Sequence, residues 1–144
     1  MQNNILTKNA ELHATEILKN QLSFDLVYHN FESTERIVEM VRSIGAHEQL
    51  SDEEQEMVEV AAWFQNTGYR DDYDQPQIKS KEIASSFLSK ENIPLEKANI
   101  ILDSLLVTQI GNKPQNNVEK VLVDASQAAV VDGDFKAQAN LLKK

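Results

Sequence analysis

Ser51-Asp52-Glu53-Glu54-Gln55-Glu56-Met57-Val58-Glu59-Val60-Ala61-Ala62 is the stretch whose reading decides the fold class. Its first four residues form a capping box: the Ser51 hydroxyl can accept from the Glu54 N–H, and the Glu54 carboxylate can reach back. The helix that this box opens turns Val58, Ala61 and Ala62 inward.

The same periodicity continues on both sides. Ile5 to Leu22 is spaced as an amphipathic helix, followed by a link at Ser23-Phe24-Asp25-Leu26-Val27. A second helix is predicted from about Asn30, with Thr34, Ile37, Val38, Val41 and Ile44 as its inner stripe and Gly45 close to its end. The pattern of the third helix breaks near Gly68, and Arg70-Asp71-Asp72-Tyr73-Asp74-Gln75-Pro76 reads as a polar loop of the kind that covers sites. A fourth helix holds Ile83, Ala84, Phe87 and Leu88; Pro94 suits the first turn of a fifth, carrying Ile101, Leu102, Leu105 and Leu106. After an irregular segment at Gly111-Asn112-Lys113-Pro114-Gln115, a sixth helix runs through Val118, Val121, Leu122, Ala125 and Ala129, and Phe135 to Lys144 reads as a short last one. The expectation is an all-α bundle of six to seven helices in one domain spanning residues 1–144.

Composition agrees. The chain of 144 residues contains 4 Gly and 3 Pro, too little punctuation for many short strands, and its 41% hydrophobic and 26% charged residues are ordinary for a globular domain. A domain near this size buries about 68–70% of its unfolded surface and can stand without staples. A formal net charge of −9 makes the surface repel nucleic acid and anionic lipid, so nucleic acid is not expected as a partner. With no cysteine there is no disulfide, thiolate metal site or cysteine nucleophile. Neither a secretory leader nor an apolar run of the ~18 residues that a membrane span needs is visible, and the expected location is cytoplasmic.

Three polar residues fall where the periodicity predicts a core. Gln65 follows Val58, Ala61 and Ala62 at offsets of seven, four and three; Ser33 stands one turn before Ile37; Asp124 lies between Val121 and Ala128 on the sixth helix. A lone carboxylate there is costly to desolvate unless paired, hydrogen-bonded or liganded. Polar groups from three helices are thus expected to converge on an interior pocket. The plainer alternative is that each is satisfied by a nearby backbone group or a water.

These residues lie within a wider resemblance. Tyr28-His29-Asn30-Phe31-Glu32-Ser33-Thr34 resembles the Tyr-His-Asn-x-x-His-Thr motif of the HD-domain phosphohydrolase superfamily, in its small bacterial branch. Ala61-Ala62-Trp63-Phe64-Gln65-Asn66-Thr67-Gly68-Tyr69 is similar to that branch's Ala-Ala-x-Phe-His-Asp-x-Gly-Tyr/Phe signature. Ser80, Ile83-Ala84 and Phe87-Leu88 keep the family order, and Val107-Thr108 through Lys113-Pro114 to Asp124-Ala125-Ser126 runs in register with its last motif. The resemblance implies an α-helical bundle and, in intact members, a divalent metal held by His, a His-Asp doublet and a distant Asp.

Carried over residue by residue, the chemistry is stripped. Ser33 stands for the first ligand His, Gln65-Asn66 for the doublet, Gln109 for a Lys and Ser126 for the second Asp, leaving Asp124 as the remaining ligand position. His29 matches a His with a structural or supporting part. One carboxylate falls short of the three protein ligands of a typical catalytic zinc site. The vestigial pocket is therefore His29, Ser33, Gln65, Asn66, Gln109 and Asp124, with no catalytic residue, no metal and no cofactor expected.

The function implied is a degenerate HD-type domain, a binding or regulatory module for a nucleotide, a phosphorylated metabolite or a protein partner, including a second copy of itself. The alternative is a phosphohydrolase or phosphodiesterase using manganese, iron, nickel or zinc on an atypical ligand set around Asp124 and His29. A third reading is a partner-binding helical domain whose old pocket is filled. Asp71-Asp72-Tyr73-Asp74 lacks the glycine and distant glutamate of a calcium loop and reads as a solvated acidic loop. His13 and His47 read as surface residues, Trp63 and Phe64 as core or interface aromatics, and Lys113 as weak support for a phosphate contact. Members of this branch continue beyond the last motif, some into membrane segments, so the chain is also consistent with the N-terminal part of a longer protein.

Overall fold

The architecture follows from which helices turn an apolar stripe and which are apolar all round. In the structure, a computed structural model, the backbone is described over residues 5–20, 24–70, 74–107 and 113–142, and the side chains over 5–20, 31–69, 74–107 and 113–129. The described elements are α1 (Ile5–Asn20), α2 (Phe24–His47), α3 (Asp52–Phe64), a 3₁₀ turn (Thr67–Arg70), α4 (Pro76–Lys90), α5 (Leu95–Val107) and α6 (Asn117–Leu142). Among the described residues there is no strand, and the fold is an all-α bundle as the periodicity predicts.

At the centre stands α3. Its second half, Met57, Val58 and Val60 through Phe64, is buried on every side, the signature of a helix surrounded by protein. It touches each of the other five α-helices. Ser51 caps it as expected, its hydroxyl accepting from the Glu54 N–H at 3.1 Å while its own N–H donates to the Glu54 carboxylate at 3.1 Å. Chiefly because of that backbone donor, against an opposing effect of burial and with lesser help from the Asn117 amide and the Ser51 hydroxyl, the Glu54 carboxyl is held below its ordinary value.

Side-chain bridges fix the directions of the neighbours. Arg42 meets Glu59 and Thr34 meets Asn66, so α2 runs antiparallel to α3. Asn117 meets Glu54 and Ser126 meets Gln65, so α6 runs along α3 in the same sense. Asn9 meets Glu91 and the His13 ring lies 5.4 Å from Phe87, so α4 runs against α1. The inner faces of all six helices join one apolar cluster.

Two helix boundaries differ from the sequence reading. The link expected at Ser23–Val27 is already helical from Phe24, so α2 starts one and a half turns before Asn30. Nothing in Phe24-Asp25-Leu26-Val27 stops a helix; it contains neither Gly nor Pro. The short last helix from Phe135 is instead the end of α6, which runs unbroken through Gly133 to Leu142. One internal glycine costs a helix about 1 kcal/mol relative to alanine, less than its flanking turns can carry.

Both α2 and α4 end in Schellman motifs with a side-chain-bearing residue in the left-handed position. Gln49 has φ 59° with Leu50 N–H bonded to Gly45 and its own N–H to Ala46; Asn92 has φ 56° with Ile93 bonded to Leu88 and its own N–H to Ser89. Glycine holds that conformation without the steric penalty, which is roughly 1–2 kcal/mol for other residues. Gln49→Gly is therefore expected to stabilise the fold by about 1 kcal/mol in chemical denaturation.

Candidate functional site

The polar residues singled out by the sequence sit where α3 ends, and the local chain explains how they are held. Three successive carbonyls at the end of α3 need partners. The Thr67 hydroxyl donates to the Phe64 carbonyl at 2.7 Å, the Ser80 hydroxyl to the Gln65 carbonyl at 2.9 Å, and the Tyr69 N–H to the Asn66 carbonyl at 3.3 Å. Ser80 in turn accepts from the Gly68 N–H at 2.8 Å. This buried serine of α4 clamps both sides of the Gln65–Gly68 bend.

From that anchored bend the two amides reach in opposite directions. Asn66 donates through Nδ2 to the Thr34 hydroxyl of α2 at 3.0 Å. Gln65 donates through Nε2 to the Ser126 hydroxyl of α6 at 3.0 Å. That hydroxyl has a single hydrogen and two acceptors within reach, the Leu122 carbonyl at 2.8 Å and the Gln65 Oε1 at 3.1 Å; given to the nearer Leu122 carbonyl, it leaves the oxygen to accept from Gln65. Neutral amides and hydroxyls thus satisfy one another across three helices, bridging α2, α3 and α6.

The expected members of the pocket do not all share it. Gln65 and Asn66 are half-buried and engaged as described; Ser33 is half-buried one residue from Thr34, and Thr34 makes the bond. Asp124 is exposed, which corrects the expectation of a carboxylate forced against the core. At about 100° per residue, Asp124 lies more than a right angle from the middle of the stripe formed by Val118, Val121, Leu122, Ala125 and Ala129. The side chains of His29 and Gln109 lie outside the described residues, as do Thr108, Gly111-Asn112 and Asp71-Asp72-Tyr73.

Among the described residues, the donors are not those that the divalent metal implied by the resemblance calls for. Hard and borderline cations want carboxylate or imidazole donors, whereas here two amide groups are turned onto hydroxyls and the carboxylate of Asp124 faces solvent. Among the described residues, no three His, Cys, Asp or Glu side chains come together as a metal centre.

Elsewhere, His13 and His47 are exposed as expected, although the His13 ring rests 5.8 Å from Phe64. Trp63 and Phe64 are core residues, 5% and 0% exposed. Lys113 and Asp74 are exposed. Glu119 escaped the sequence reading although it is 6% exposed. Its N–H donates to Asn116 Oδ1 at 2.9 Å and its carboxylate accepts from the Gln115 N–H at 2.9 Å. The signal was present in Asn116-Asn117-Val118-Glu119, which has capping-box spacing.

If the Gln65–Ser126 bond ties α3 to α6, its energy is measurable. A double-mutant cycle of Gln65→Ala and Ser126→Ala by urea denaturation is expected to return a coupling of about 1 kcal/mol.

No protein-family model, curated protein or solved structure matches the chain.

Proposed function

We propose that the protein is a non-catalytic helical domain of the HD type that works as a binding or regulatory module for a nucleotide, a phosphorylated metabolite or a protein partner. The observation that carries this reading is the pairing of Gln65 with Ser126 and of Asn66 with Thr34. Sites that activate water or polarise a phosphoryl oxygen need charged or strongly basic donors aimed at one point. Here the positions of the doublet, Gln65 and Asn66, hold neutral amides that are hydrogen-bonded to the hydroxyls of Ser126 and Thr34.

Metal retention and ligand-dependent melting test it together. The protein, incubated in turn with manganese, iron, nickel and zinc salts and then desalted, is expected to retain well under one equivalent of each and to leave p-nitrophenyl phosphate uncleaved. A nucleotide that binds only the folded state stabilises it by about 2.7 kcal/mol at a hundredfold excess over Kd, so one of a nucleotide panel is expected to raise the melting temperature. One equivalent of retained metal, lost in Asp124→Ala and accompanied by phosphate release, would overturn the proposal. A panel without any shift would leave the protein-partner form of it.

A further inference from the structure

We infer that the outer face of α1 is an interface with a second copy of this chain, in which the two α1 helices pack antiparallel about a twofold axis at Leu12. A helix on the surface of a bundle ordinarily turns one apolar stripe inward and a polar face outward. In α1 the inward stripe is Leu6, Ala10, Ala14, Ile17 and Leu18, all buried. At about 100° per residue, Leu12 stands opposite the middle of that stripe, with Ile5 beside it. The two are 60% and 64% exposed. They are seven residues apart, the spacing that keeps a seam turned toward a partner helix. Apolar residues at the outer pole of a helix, and not at the edge of its buried stripe, add nothing to the core of the bundle that carries them.

The charges on the same face decide what the partner is and which way it runs. Lys8, Glu16 and Lys19 are exposed and share with Ile5 and Leu12 an arc of about 80°. In an antiparallel pair centred on Leu12, residues equally far before and after Leu12 come level with one another. Leu12 of one copy then meets Leu12 of the other, and Lys8 of each copy faces Glu16 of the other, so the face is complementary to itself. Ile5 meets the stem of Lys19, whose ammonium group is turned aside to lie 4.5 Å from the centre of the Phe31 ring. Glu16 is steadied by Asn20, whose amide donates to its Oε2 at 2.8 Å. A parallel pair would set Lys8 against Lys8 and Lys19 against Lys19, which like charges disfavour. Leu12 also lies at the middle of Ile5–Asn20, so this register overlaps the two helices along their full length and any other shortens the contact.

A helix of 16 residues offers a contact only about 24 Å long, which places the interface at the small end of the specific ones and makes association weak and reversible. The inference is independent of the HD-type reading, because no residue of α1 belongs to the Gln65–Asn66 site.

The experiment is sedimentation equilibrium of the protein at fixed ionic strength, over concentrations from about 10 μM to about 1 mM. The apparent mass is expected to rise from one chain toward two and to fall back on dilution. Leu12→Lys, which sets two cations at the centre of the seam, should weaken association at least about tenfold. Lys8→Glu and Glu16→Lys each bring like charges level at two places and should do the same. Glu16→Lys does so while bringing the formal net charge of −9 closer to zero, so general repulsion between the chains is not the cause of its loss. The double variant Lys8→Glu/Glu16→Lys should regain the affinity of the unaltered protein to within about threefold, as a swapped pair implies. These side chains are exposed, and both reversed charges agree with the helix dipole, so the melting temperatures are expected to hold. A single-chain mass throughout the concentration range, an unchanged association in Leu12→Lys, or a double variant no stronger than either single one would overturn the inference.

Discussion

Gly68→Ala is expected to lower the melting temperature by about 10 °C. A Cβ at Gly68 would overlap the Pro76 carbonyl oxygen and stand 2.7 Å from both the Pro76 carbonyl carbon and the Ser80 nitrogen. Those atoms are backbone, in the first turn of α4, and cannot rotate aside. Relief requires α4 to move away from the 3₁₀ turn, which would also break the Gly68–Ser80 and Ser80–Gln65 bonds. Overpacking alone costs typically 1–3 kcal/mol, and the two lost hydrogen bonds add roughly 1 kcal/mol each. Gly45→Ala is the informative contrast. There the new Cβ would overlap only the Gln55 side-chain amide, which can swing away. The gain in helix propensity of about 1 kcal/mol offsets the bonds it abandons. Thermal melts of the two variants should therefore differ widely although each replaces one hydrogen by the same methyl group.

The second large effect is expected at Phe64. Its ring is 0% exposed and packs against Phe87 at a centroid distance of 5.0 Å, tilted 41°, with the His13 ring completing a triangle with both. Phe64→Ala removes this ring from the place where α1, α3 and α4 meet, and such truncations cost about 3–5 kcal/mol. Native stabilities are only about 5–15 kcal/mol, so the urea midpoint should fall by about a fifth or more. Phe64→Leu keeps most of the apolar volume and should cost markedly less. If both variants fell equally, the aromatic contacts and not the filled space would be what Phe64 contributes.

These two positions show how much of the molecule was readable from its residues. The apolar stripes of α1, α4 and α5, the capping box at Ser51 and the inward turn of Val58, Ala61 and Ala62 follow from 3.6-residue periodicity and local donor geometry, both of which are written in short stretches of chain. The start of α2 at Phe24 is not marked by periodicity, because Phe24-Asp25-Leu26-Val27 shows no apolar stripe and a single acid does not break a helix. At the site, periodicity placed Gln65 with the inward residues of α3 but could not name the partners of Gln65 and Asn66. Ser126 and Thr34 come from helices 61 and 32 residues away in sequence, and which side chain meets which is set by the angle at which helices pack. Asp124 was misplaced for a related reason. Its flanking residues are apolar, yet on a helix the neighbour in sequence lies about 100° away, and an acid beside a stripe can still face water.

The central position of α3 has a consequence for how the protein is made. Residues 5–47 leave the ribosome before residues 52–64, so α1 and α2 emerge with no third helix to cover the faces that they turn toward it. The nascent hairpin carries its apolar stripes uncovered for as long as synthesis needs to deliver the middle of the chain. The core can close only once α3 is available, since every other α-helix packs against it.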